Sequence, residues 1–190
     1  ERHNGFAILT LARNRDERGF PGGRRTLETL RQTGRDSQSI AIGDNFVRSK
    51  VVAHIKEIIP DLPFVSAIHP KASIAMEVSI GEGTVVMAGV SINACSSVGR
   101  FCILNTNSSL DHDSILEDFA SLAPGATTGG NCRVGQFSAV SIGAVLIHGI
   151  HVGEHTVIGA GSLVMKSIES FVVAYGTPAR AIRNREQGDK

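Results

Sequence analysis

The stretch Ile92-Asn93-Ala94-Cys95-Ser96-Ser97-Val98-Gly99-Arg100-Phe101-Cys102-Ile103-Leu104 returns an aliphatic residue at every sixth position. Followed toward the N-terminus, the same step meets Val86, Ile80, Ile74 and Ile68. Followed the other way, it meets Leu110, Leu116, Leu122, Thr128, Val134, Val140, Leu146, Val152, Ile158 and Val164. Of these 17 positions only Thr128 is not Ile, Leu or Val. The residue two before each is restricted as well: 14 of the 17 are Ala, Ser, Thr or Cys. A period of six fits neither an α-helix nor an alternating strand. It marks a β-solenoid of hexapeptides, with one aliphatic residue per side filling a narrow interior and a small residue beside it. Three hexapeptides close one triangular coil, so the repeats predict nearly six coils, about 27 Å long at roughly 4.8 Å per stacked strand. The register does not slip between 68 and 164. No loop should protrude there, and a ligand cleft must come from neighbouring chains or from the segment before the repeats.

That segment reads differently. Apolar runs at Phe6–Leu11, Ser39–Ile42 and Phe64–Ile68 predict short strands. Arg24–Gln32 predicts a short helix, and Phe46–Ile59, with apolar residues at 47, 51, 52, 55, 58 and 59, a second one stopped by Pro60. Alternating strand and helix suggests part of a parallel α/β unit. The domain organisation expected is therefore an α/β lobe over 1–64, a solenoid over 65–166, and a cap and tail over 167–190.

Composition agrees with a thin core. Val, Ile and Leu number 46 of 190 residues, against no Trp and one Tyr. Nineteen basic and 18 acidic side chains leave a net charge of +1, which argues against bulk attraction to nucleic acid or anionic membrane. No apolar run is long enough for a membrane span, and the Arg-rich first 20 residues do not read as a signal peptide. Cys95, Cys102 and Cys132 suggest neither a disulfide framework nor a zinc motif, so a reducing cytoplasm is expected. Cys102 and Cys132 fall on the small inward position and read as inert core.

Residues 18 apart should stack along the prism. The column Glu82, Arg100, Asp118, Gln136, Glu154 is wholly polar and is expected in solvent. A second column, Pro70, Ala88, Thr106, Pro124, Ile142, Ala160, is mostly small and apolar; the third is Met76, Ala94, His112, Gly130, His148, Lys166. Two covered edges suggest packing between prisms, which a threefold assembly satisfies with closed symmetry. His112 is flanked by Asp111 and Asp113, so a carboxylate can fix its tautomer and support its charged form. Gly130, one coil on, leaves space for a ligand and exposes a backbone N–H. Together these read as a general base beside a slot. His148, His151 and His155 lie at different phases of the repeat and do not converge, so no metal site is expected.

Several stretches carry a resemblance. They are Ala41-Ile42-Gly43-Asp44-Asn45 with Arg48, Ile68-His69-Pro70, Asn105-Thr106, Leu110-Asp111-His112-Asp113, Asp118-Phe119, Ala123-Pro124-Gly125-Ala126, Ile158-Gly159-Ala160-Gly161 and Gly176-Thr177-Pro178-Ala179. They resemble the hexapeptide-repeat sugar acetyltransferases of the sialic acid O-acetyltransferase and bacillosamine N-acetyltransferase family, over about residues 7 to 183. The resemblance implies a left-handed parallel β-helix, a homotrimer with sites between subunits, and acetyl-CoA as co-substrate with no metal. The acceptor it implies is a nucleotide-linked amino sugar, acetylated on its amine by direct transfer. It places the catalytic base at His112 and its acidic partner at Asp113. It places Asn105 near the sugar, and Gly43, Asp44, Asn45 and Arg48 where the lobe meets the nucleotide. Ser121, Gly130, Ala160, Gly161, Pro178 and Arg180 would lie along acetyl-CoA, with Arg180 near a phosphate. Ser121 stands where the family often has a second histidine, leaving a hydroxyl as the hydrogen-bond donor. The family usually opens with a strand and a Gly-rich turn, and this chain begins at what resembles the second strand, so the lobe is expected to be N-terminally incomplete. The rival readings are O-acetylation of a sialic acid or another sugar hydroxyl, and a non-catalytic hexapeptide scaffold.

Overall fold

A computed structural model describes residues 7–9 and 38–186. Strand β1 (Ala7–Leu9) pairs in parallel with β2 (Gln38–Ile40). Helix α1 (Asn45–Ile58) follows. The helix expected over 24–32 lies outside the described residues. The Asp44 side chain caps α1 by accepting from the Val47 N–H at 2.9 Å. Asn45, Arg48, Val51, Val52 and Ile55 form its buried face.

The expected strand over 64–68 is two elements. Phe64 bridges Gln38 in parallel and belongs to the lobe. Ala67–Ile68 (β3) pairs with Val85–Val86 and opens the solenoid. The chain changes direction between them, where the Ser66 hydroxyl donates to the Gly81 carbonyl at 2.7 Å.

Seventeen two-residue strands, β3 (Ala67–Ile68) to β19 (Leu163–Val164), coincide with the hexads. They stack in parallel into three sheets whose partners are 18 residues apart, such as Ser91↔Ser109 and Leu104↔Leu122. One sheet holds six strands, a second five, and the third eight. The aliphatic column is buried from Val86 to Val164, while Ile68 and Ile74 in the first coil remain 47% and 37% exposed. The small inward residues have a second task beside fitting. Thr84, Ser96, Cys102, Cys132, Ser138 and Thr156 each donate to a backbone carbonyl at the next corner. The four hydroxyls among them also accept from the next coil, as Thr84 Oγ1 does from the Cys102 N–H at 3.0 Å and Ser138 Oγ from the Thr156 N–H at 2.8 Å. These bonds satisfy corner groups that the sheets leave unpaired. Burial pushes the Cys102 thiol up to about 12, as suits an inert core residue.

The C-terminus closes the solenoid. Strand β20 (Val172–Gly176) pairs with Val157–Ile158 and folds back antiparallel on β21 (Ala179–Asn184), burying Ala174 and Ala179 over the last coil. No helix among the described residues is long and apolar enough to cross a membrane.

One edge departs from expectation. The polar column Glu82 to Glu154 is largely exposed, but the residues just after it form a ring stack: Phe101, Phe119, Phe137, His155 and Phe171, with centroids 4.6 to 5.3 Å apart. The core has no room for rings, so they stack outside it, on corner residues with positive φ. Phe64 meets Phe101 edge-on at 5.0 Å, and α1 lies over this edge. Each ring pair contributes about 0.5–1.5 kcal/mol beyond its buried area.

Candidate active site

His112 sits on the corner between the six-stranded and five-stranded sheets, between β10 (Ser109–Leu110) and β11 (Ile115–Leu116). Its Nδ1 is 2.7 Å from Asp113 Oδ2. Asp113 takes the left-handed corner conformation, φ 56°, which brings its carboxylate beside the ring. The Asp111 carboxylate accepts from the His112 N–H at 2.8 Å and from the Asn93 side-chain amide. The two carboxylates therefore have different duties: Asp111 holds the backbone and Asp113 holds the ring. The Asn93 hydrogen bond, followed by that of His112, lowers the pKa of Asp111. The hydrogen bond to Asp113 raises the pKa of His112 above 6.5, with nearby negative charge adding to it.

With Nδ1 turned to Asp113, Nε2 lies over Gly130. A Cβ at Gly130 would stand 2.4 Å from Nε2 and 2.5 Å from Cε1. The space that Gly130 leaves is thus filled by the imidazole, not open as expected. Gly130 is a buried residue, and its N–H makes no hydrogen bond among the described residues. His148, which the 18-residue step places in the same column as His112, brings its ring centroid to 6.4 Å from that of His112 on the same edge. Its sequence signal was the 36-residue spacing, two coils of the solenoid. His155 is buried in the ring stack instead, where burial lowers its pKa. No cluster of three or more His, Cys, Asp or Glu residues suited to a metal ion occurs among the described residues.

The other expected site residues lie elsewhere on the prism. Asn105, Ala160 and Gly161 follow strands of the eight-stranded sheet, at its corner with the six-stranded one. Asn105 Oδ1 accepts from the Thr106 N–H at 2.8 Å. Ser121 begins strand β12 (Ser121–Leu122) of the eight-stranded sheet. Pro178 follows a cis peptide in the terminal hairpin, and Arg180 beside it is exposed, with Nη1 on the Ala179 carbonyl. A whole sheet separates this group from the His112 corner within one chain.

The lobe residues occupy the third corner. Gly43 is exposed, with open space where a Cβ would stand, and Asp44 caps α1. For Asn45 and Arg48 the expected nucleotide contact is corrected. Arg48 is fully buried. It donates to the carbonyls of Phe101 and Phe119, each at 2.8 Å, to that of Ile42, and to Asn45 Oδ1. The Asn45 amide donates to the Ser138 and Phe137 carbonyls. Burial pushes the Arg48 guanidinium down to about 10. Both side chains lock α1 to the solenoid corner, whose left-handed residues turn their carbonyls outward and leave them without sheet partners.

No family model matches the chain. Among solved structures, a variant of GDP-perosamine N-acetyltransferase from Caulobacter crescentus, in complex with CoA and GDP-perosamine, is 35% identical with a TM-score of 0.79. That match covers 85% of this chain and 76% of the other. The acetyltransferase domain of PglB from Neisseria gonorrhoeae, in complex with acetyl coenzyme A, is 30% identical with a TM-score of 0.73, covering 77% and 70%. Among curated proteins, the acyl-[acyl-carrier-protein]–UDP-N-acetylglucosamine O-acyltransferase of Pseudomonas putida is 29% identical over 110 residues, 54% of this chain. The match spans only 42% of that protein's length. At that identity and coverage the chain belongs to the hexapeptide-repeat sugar acetyltransferase family, whose fold is a left-handed parallel β-helix.

Proposed function

We propose that the protein is an acetyl-CoA-dependent N-acetyltransferase whose acceptor is a nucleotide-linked amino sugar. The observation that carries this reading is the His112 arrangement: Nδ1 held by Asp113, Nε2 presented over Gly130 with its unpaired N–H. A base must be neutral, fixed in tautomer and accessible, and this histidine meets all three conditions above its pKa. Family membership supports the acyl group and the kind of acceptor, since relatives bind CoA, acetyl-CoA and GDP-perosamine.

The chemistry is direct transfer. The amine nitrogen attacks the thioester carbonyl as Nε2 takes the amine proton, and the Gly130 N–H steadies the oxyanion. Collapse breaks the C–S bond, and the proton passes from the imidazolium to the departing CoA sulfur. Asp113 stabilises the imidazolium throughout. Three corners of one chain carry the three groups of candidate residues, so we assign the complete site to an assembly of prisms, most simply a trimer. In it Asn105 and Gly43 contribute to the acceptor side, and Ser121, Ala160, Gly161, Pro178 and Arg180 to the acetyl-CoA side. We divide the chain into lobe, solenoid and cap at 64/65 and 166/167, and place the protein in the cytoplasm with its two substrates.

A thiol-release assay against UDP-, GDP- and dTDP-linked amino sugars tests the acceptor. Product with one of them, and a loss of at least about 10²-fold in kcat for His112→Ala with acetyl-CoA still bound, is the expected result. Turnover of free sialic acid in place of every amino sugar would shift the reading to O-acetylation. Acetyl-CoA binding with no turnover at all would favour a non-catalytic scaffold.

A further inference from the structure

Away from the last coil, where the cap begins and the His151 N–H turns to Ser167 Oγ, the ladder between coils departs from regularity at Asp111. In each coil the residue after the aliphatic position donates its N–H to the carbonyl of the aliphatic residue one coil on. His69 to Val86, Asn93 to Leu110, Glu117 to Val134 and Gly129 to Leu146 are instances. At Asp111 that bond is missing. Its N–H donates to the side-chain Oγ1 of Thr128 instead, at 3.0 Å. The register between β10 and β13 (Thr127–Thr128) consists of Ser109↔Thr127 alone, while the rungs on either side pair both residues.

Thr128 is also the one break in the aliphatic column, and it is 3% exposed. A hydroxyl facing an apolar interior is unfavourable unless it is hydrogen-bonded, and Val has nearly the same shape without that cost. Its bond goes to the residue whose carboxylate holds the His112 N–H at 2.8 Å. The broken rung and the candidate base thus lie side by side at Asp111 and His112, and the sequence anomaly, Thr128, bonds directly to that segment.

We infer that Thr128 is a positioning residue for His112: by capturing the Asp111 N–H it draws this segment off the regular ladder and sets the imidazole against Asp113 and over Gly130. The inference rests on the base role proposed above for its catalytic consequence, though not for its structural one. An aliphatic residue at 128 would let the Asp111 N–H return to the carbonyl of residue 128 and carry the histidine with it.

The test compares wild type, Thr128→Val and Thr128→Ser by NMR titration of the His112 ring, steady-state kinetics and thermal melting. Thr128→Val is expected to melt at or above wild type. Its His112 midpoint should move toward the ordinary histidine value and its kcat should fall at least about tenfold, while KM for acetyl-CoA stays within about twofold. Thr128→Ser keeps the hydroxyl and should retain both the titration and most of the rate. Thr128→Ile, the residue type of other rungs, takes the same role if Thr128→Val does not fold. A Val or Ile variant with the wild-type titration and wild-type kcat overturns the inference. If wild type turns over no acceptor, the base role fails by itself. The titration then still decides the matter: an unchanged His112 midpoint overturns positioning, and a shifted one upholds it.

Discussion

Replacing Arg48 with Met separates a docking role from a nucleotide contact. The guanidinium makes four hydrogen bonds, three to backbone carbonyls and one to Asn45 Oδ1. Methionine has a similar reach and no donors, so it leaves these acceptors buried and unpaired. Hydrogen bonds to a charged group contribute about 1.5–3 kcal/mol each. Against this stands the cost of burying the cation. Burial disfavours the charged form and lowers its pKa to about 10, a cost that the variant no longer bears. Four buried acceptors left unpaired, at about 1–3 kcal/mol each, outweigh that relief, and a net loss of at least about 3 kcal/mol is expected. The loss should be local. Hydrogen exchange should show α1 amides losing protection toward solvent rates, while the solenoid rungs keep theirs. Arg48→Lys should fall between, because an ammonium cannot span four acceptors. The reasoning is refuted if Arg48→Met leaves α1 protection and melting unchanged and instead raises KM for a sugar nucleotide.

Two further expectations concern the His112 corner. Because Asp113 raises the His112 pKa, the acid limb of kcat/KM should lie above 6.5, with activity lost as pH falls and the imidazole protonates. Asp113→Asn should move that limb to lower pH and weaken the base; a pH–rate profile superimposing on wild type would contradict the pairing. Gly130→Ala should place a methyl 2.4 Å from Nε2 and push the ring out of its seat. Gly130 does not need a left-handed φ, so its fold and melting should survive while kcat drops at least about tenfold. Crystallography of the variant would show the displaced imidazole, and an undisplaced ring with full activity would disprove the close contact.

The solenoid was legible because its core is one-dimensional. Each rung buries one aliphatic residue, so an unbroken period from Ile68 to Val164 determines coil size, register and the three sheets. His112 was legible for the same reason: a period of 18 places Gly130 one coil beyond it. The ring stack was not seen, although Phe101, Phe119 and Phe137 repeat at that same interval. These residues occupy the corner phase, where side chains of any size fit outside the wall, and not the aliphatic phase that sets the coil. Arg48 misled for a different reason. An exposed phosphate-binding arginine and a buried docking arginine look alike in one dimension; what differs is whether backbone carbonyls face the guanidinium.

The sequence by itself determined the prism, the coil length, the cap and the pairing of His112 with its flanking acids, because all of these follow from local spacing along a regular wall. Tertiary structure decided what spacing does not carry. It divided Asp111 and Asp113 between backbone and ring, set the imidazole against Gly130, gave Arg48 and Asn45 to the seam between helix and solenoid, and broke a single rung at Thr128. Each depends on where backbone donors and acceptors point in three dimensions, and hydrogen-bond direction is absent from the periodicity that fixes the fold.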